Sequence, residues 1–79
     1  MQSQLNFWNG YALYKKGEAE QRPQTLESAR ATLPMFQEAR RLFQGASSYA
    51  ASQPSINLQQ FLDAVTQYVE IQEAIIKRG

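Results

Sequence analysis

Residues 6–17, Asn-Phe-Trp-Asn-Gly-Tyr-Ala-Leu-Tyr-Lys-Lys-Gly, carry aromatic side chains at helical spacing around two glycines set seven positions apart. Glycine inside a helical pattern costs roughly 1 kcal/mol relative to alanine, so Gly10 predicts that a second backbone comes close at that point. Gly17 reads as a stop signal, because it follows two lysines, which favour the negative end of a helix, and supplies a residue free to turn left-handed. A short amphipathic helix that meets a partner helix at a glycine begins a helical hairpin. This one feature places the chain among all-α folds.

The side-chain inventory then removes several classes of function. The 79 residues suffice for one small domain, 1–79, or a fragment of a larger repeat protein, close to the size at which a single core holds a chain together unaided. Cysteine and histidine are both absent, so disulfides, thiolate metal sites and the commonest general base are not available. No catalytic residue, metal or cofactor is expected. Eight basic residues against seven acidic ones leave a charge of +1, and no basic run exceeds two residues. Nucleic-acid binding, which relies on neutralising several phosphates, is therefore not expected. No segment approaches the ~20 apolar residues of a membrane span, and the polar start Met1-Gln-Ser-Gln does not read as a signal peptide. The expectation is a soluble chain, cytoplasmic by default.

Periodicity divides the chain into three helices. The first runs from about Ser3, read as its N-cap, to Lys16 or a few residues beyond, with Leu5, Trp8 and Ala12 on one stripe and Phe7, Tyr11 and Tyr14 on the next. So wide an apolar face belongs to a helix with neighbours on two sides. Trp8 is expected to be a core anchor, since an indole supplies much buried area. A connection containing Pro23 leads to Thr25, the predicted cap of a second helix whose seam is Leu26, Ala29, Leu33, Phe36, Arg40 and Phe43. Pro34 lies inside that series without changing its phase, which predicts one kinked helix rather than a loop. Its end falls between Gln44 and Ala51, with Gly45 as one candidate terminator. The third helix opens at Asn57, with Gln60 as reciprocal partner, follows Leu58, Phe61, Leu62, Val65, Tyr68, Val69, Gln72, Ile75 and Ile76, and ends in Lys77-Arg78-Gly79.

The first two helices resemble the tetratricopeptide repeat, a helix-turn-helix unit with small residues where its helices pack closely. Gly10 and Gly17 match the spaced small positions of that family, Phe36 and Ala39 match its aromatic and following alanine, and Thr32 stands where an alanine is usual. Residues 18–27 lengthen the unit by about ten positions, and Gln44-Gly45 replaces the closing proline. The resemblance implies an antiparallel hairpin, with the third helix as a packing or capping helix or as the start of a following unit. It further implies a non-catalytic protein-interaction module, or a structural element that stacks on copies of itself, because isolated repeat units leave faces uncovered.

In such a unit the first helix lines the groove that receives a protein or peptide partner. The residues placed to do so here are Phe7, Tyr11, Tyr14 and Lys15, with Asn6 and Asn9 able to bond a peptide backbone. The competing reading makes the aromatics core, Tyr11 above all, with Tyr14 and Lys15 exposed. Arg40, in a seam position, either pairs with Glu70, Glu73 or Asp63 or snorkels to water. Glu70 and Glu73 read as a solvated face. The large apolar content of so small a domain predicts a homo-oligomer, most simply a two-fold dimer through the first or third helix.

Overall fold

The computed structural model describes residues 2–22 and 24–79, so Pro23 of the first connection and Met1 of the polar start lie outside the described residues. The fold is all-α: α1 spans Gln2–Glu20, α2 Leu26–Gln44, α3 Ser47–Ser52 and α4 Leu58–Arg78. Four helices therefore replace the expected three, because the stretch after Gly45 makes a short helix of its own instead of prolonging α2.

Local chemistry accounts for the boundaries. At the start of α2, Thr25 Oγ1 accepts from the Ser28 amide at 3.1 Å while Ser28 Oγ accepts from the Thr25 amide at 3.0 Å, a reciprocal cap with serine in the place usually held by Glu or Gln. Asn57 Oδ1 accepts from the Gln60 amide at 3.2 Å and opens α4. Ser3 does not cap α1, which begins before it; its Oγ accepts instead from the Tyr49 amide at 2.9 Å and ties α3 to α1. Through Pro34, α2 is continuous from Leu26 to Gln44. Within it the Thr32 hydroxyl donates to Ser28 O at 2.8 Å.

Gly17 does not stop α1. The helix continues through Glu18-Ala-Glu, and Gly17 is buried within it because the ring of Phe36 lies against its backbone: a Cβ there would sit 2.9 Å from two ring carbons. Gly10 performs the expected service at the same interface, where a Cβ would meet Leu42 Cβ at 3.1 Å and Ala39 O at 3.2 Å. Both glycines of the opening motif are thus contact glycines on one helix face.

α2 lies centrally. Contacts of Gly10 with Leu42 and of Gly17 with Phe36 make α1 antiparallel to it, and Phe43–Phe61 with Phe36–Tyr68 do the same for α4. α1 and α4 consequently run parallel, in a body extending 42 × 17 × 16 Å. The core joins Phe7, Phe36, Ala39, Phe43, Val65 and Val69, with Ala46 beside them. The buried row of α2 passes through Thr32 and Ala39, so Arg40, placed in the seam by periodicity, is exposed. Its seat in the seam is taken by Ala39, a residue small enough to let α1 approach.

Candidate partner surface on α1

Each turn of α1 presents two different faces. Toward α2 and α4 lie Phe7, Gly10, Tyr14 and Gly17, a row that recurs at three and four residues. Phe7 is 2% exposed and touches Phe43, Tyr49 and Phe61, so the first of the four predicted partner residues belongs to the core. Tyr14 is half-buried against Phe43, Phe61 and Tyr68. These rings fill the space between α1 and α4, and no cavity is present among the described residues. Tyr11 is partly exposed beside Phe61, and Lys15 is exposed.

Lys15 belongs to a polar cluster at the far end of the α1–α4 contact. Its Nζ donates to Glu18 Oε1 at 3.1 Å, and the Tyr68 hydroxyl donates to Glu18 Oε2 at 2.8 Å. The Tyr68 hydroxyl and Lys15 Nζ together hold the Glu18 carboxyl below its ordinary range. Burial, then the hydrogen bond to Glu18, pushes Tyr68 up to about 12, and burial followed by the Glu18 charge raises Tyr14. Lys15 is raised by its hydrogen bond to Glu18. One turn further, the buried Gln72 donates from Nε2 to Gln21 Oε1 at 2.8 Å, leaving its own buried Oε1 without a hydrogen-bond partner. The periodicity of α4 includes Gln72 in the apolar seam, three residues after Val69, and the structure buries it there, whereas Gln21, in the first connection, gives no sequence sign of burial.

The outward face of α1 is the feature that sequence reasoning assigned incorrectly. Leu5 is 56% exposed and Trp8 49% exposed, and Ala12 on the same stripe is exposed as well. Trp8 is thus not a core anchor: Phe7, Phe36 and Phe43 fill the centre, and the helical phase turns the indole away from α2. Its inner edge rests on Phe7 at 4.9 Å, Tyr11 at 6.0 Å and Tyr49 at 6.5 Å between ring centroids, all edge-on, so the ring is held while its outer half faces water. A signal for this face does exist in the sequence. Residues 2–14 contain no charged side chain, and the stripe is bordered by Gln4 and Asn9. Asn6, by contrast, is engaged internally: it accepts from Gln2 Nε2 at 3.0 Å and donates to Gly45 O at 3.3 Å.

Among the described residues no group of three or more His, Cys, Asp or Glu side chains is placed to hold a metal ion, and no helix is long and apolar enough to cross a membrane. No family model, curated protein or solved structure matches the chain.

Proposed function

We propose that the chain is a non-catalytic protein-interaction module, a lengthened tetratricopeptide-like hairpin in which α4 packs as the capping helix and the outward face of α1 receives the partner. The observation that carries this reading is the uncovered, charge-free stripe of Leu5, Trp8 and Ala12. Interface centres are depleted in charge and enriched in aromatic residues, and a tryptophan braced by other rings loses little freedom when a partner covers it. Tyr11 flanks the stripe, and Lys15 stands at its C-terminal end with one side already engaged by Glu18. Phe7 and Tyr14 support this surface from beneath. The antiparallel hairpin with Gly10 and Gly17 at its contact, and α4 parallel to α1, favour the repeat-like architecture.

Selection of helical peptides displayed on phage against the immobilised chain tests the reading. Selected peptides should shift the emission of Trp8, the single tryptophan, to the blue and lose binding to Leu5→Ser. Failure to select any peptide, or selection of peptides indifferent to Leu5→Ser, would remove the reading.

A further inference from the structure

We infer that Asn9-Gly10 is a site of self-modification guarded by the fold: the asparagine converts to isoaspartate when α1 opens, and the product keeps α1 from closing on α2 again. The site is independent of what covers the outward face of α1. Asn9 is exposed and Gly10 beside it is buried. An asparagine followed by glycine is the sequence most open to attack on its side-chain amide by the next backbone nitrogen, because glycine places no side chain beside that nitrogen. The other asparagines precede Phe7 and Leu58, whose side chains crowd it. They are also held, Asn6 by Gly45 O and Asn57 by the Gln60 amide. Gly10 is required by the packing, since a Cβ there would meet Leu42 Cβ at 3.1 Å, Ala39 O at 3.2 Å and Phe43 Cδ1 at 3.2 Å. The glycine that seats α2 is therefore the glycine that makes Asn9 labile.

The closed helix blocks the chemistry. Ring closure needs the Gly10 nitrogen eclipsed with the Asn9 Cβ, and a helical ψ of about −42° holds the two apart. As an interior residue of α1, Gly10 also directs its N–H at the carbonyl four residues earlier. In an open segment the Gly10 nitrogen attacks Cγ of Asn9, water or hydroxide takes its proton, and the side-chain nitrogen leaves as ammonia. Water then opens the succinimide. Addition at Cγ breaks the bond from Cγ to the Gly10 nitrogen and leaves an ordinary chain with aspartate at position 9. Addition at the backbone carbonyl carbon breaks its bond to Gly10 instead, and the main chain then runs through Cβ and Cγ. Either way one water is consumed and one ammonia released, and no other reactant is needed.

The two products differ in what they do to the fold. Aspartate at an exposed position adds charge alone. Isoaspartate lengthens the backbone by a methylene between contacts that depend on one helical register. Phe7 before it is set against Phe43 and Phe61, while Gly10 and Gly17 after it are set against Leu42 and Phe36. A chain lengthened between these contacts cannot seat both sets, so the opening that allowed the attack becomes permanent.

Incubation of the full chain at mildly alkaline pH, folded in one arm and in denaturant in the other, tests the site by peptide mapping. In denaturant, conversion should be faster at Asn9 than at Asn6 or Asn57. In the folded arm it should be slower at least about a hundredfold, because only the small open fraction reacts. The separated isoaspartyl chain should melt at least about 10 °C below the parent, while Asn9→Asp, which carries the charge without the extra methylene, should melt close to it. Conversion at Asn9 no faster than at the other asparagines, equal rates in the two arms, or an isoaspartyl chain that melts with Asn9→Asp would each overturn the inference.

Discussion

The inward and outward stripes of α1 contain similar residues and have different fates. Phe7 and Leu5 are two positions apart, yet one is sealed against Phe43 and Phe61 and the other is mostly in water. What separates the stripes is backbone access. Gly10 and Gly17 lie on the inward side, where the missing Cβ atoms let α2 come close enough for Phe36 and Phe43 to fill the contact, whereas the outward side has no glycine and leaves Leu5, Trp8 and Ala12 exposed. Apolar content therefore does not by itself identify the core of a small helical domain; the positions of its smallest residues do.

The largest break in that comparison should come from Phe36. Its ring is fully buried, covers Gly17 and stacks on Tyr68 at 4.8 Å. Phe36→Ala should cost about 3–5 kcal/mol, much of the whole stability of a domain this size. Thermal and denaturant unfolding would show it as loss of the cooperative transition near room temperature; a well-folded variant with a modest shift would mean that the α1–α2 contact is carried elsewhere.

Next in size is Gln72. Replacement by an apolar side chain of similar length, Gln72→Met, removes the donor to Gln21 and leaves the Gln21 oxygen buried and unpaired, which should cost about 1–3 kcal/mol, less what is regained by removing the already unpaired Gln72 Oε1. The double variant Gln21→Met/Gln72→Met should recover most of that loss, since removing both partners leaves no orphan. Equal destabilisation by the single and double variants would show that the amide pair itself is immaterial.

A smaller effect, distinctive in sign, is expected at Gly17. Alanine at an open helical glycine gains about 1 kcal/mol. At Gly17 the added methyl would meet the buried Phe36 ring at 2.9 Å, so Gly17→Ala should destabilise instead, by about 1 kcal/mol net of the propensity gain. Combination with Phe36→Leu should relieve part of the loss. Stabilisation by Gly17→Ala alone would show that the close approach has slack.

These effects also show where sequence was informative. Three long helices, the caps at Thr25 and Asn57 and the close approach at Gly10 follow from local chemistry and periodicity, which a single chain displays directly. Gly17 and Trp8 were harder because their roles depend on which neighbour faces them. A glycine after two lysines has the same local pattern whether it ends a helix or seats a ring. Likewise, two adjacent apolar stripes reveal that a helix has two faces without revealing which one stays uncovered. Of the predicted partner residues, Tyr11 and Lys15 border the exposed face, while Phe7 and Tyr14 lie beneath or beside it.

The polar end of the α1–α4 contact should give the protein an alkaline sensitivity. Tyr68, pushed to about 12, and Tyr14, also raised, are held protonated by burial and by Glu18, so their contribution is complete below the ordinary tyrosine value of 10.0. It is lost as pH rises from there through about 12. Partial exposure and screening limit the loss to the order of 1 kcal/mol. Glu18, lowered in the fold, contributes above the ordinary carboxylate value of 4.5 and loses that contribution as pH falls below it. Tyr68→Phe should flatten much of the alkaline limb in unfolding experiments; an unchanged limb would place its origin elsewhere.

The smallest effect on folding is expected where the effect on association is largest. Ala12→Glu changes an exposed residue in the middle of α1 to another with good helix propensity, so in dilute solution its melting temperature should correspond to a change within about 0.5 kcal/mol. Two added carboxylates in a paired seam would meet an apolar surface and each other's field, while an isolated chain hydrates its own. Pairing through this stripe, which its exposed apolar residues would permit, would add stability only as concentration approaches and exceeds its dissociation constant, through mass action. The parent chain should therefore melt progressively higher than Ala12→Glu as both are concentrated, and the two should converge on dilution. Parallel, concentration-independent melting curves would mean that the outward stripe does not pair with itself, leaving its difference from the inward stripe as a difference of burial alone.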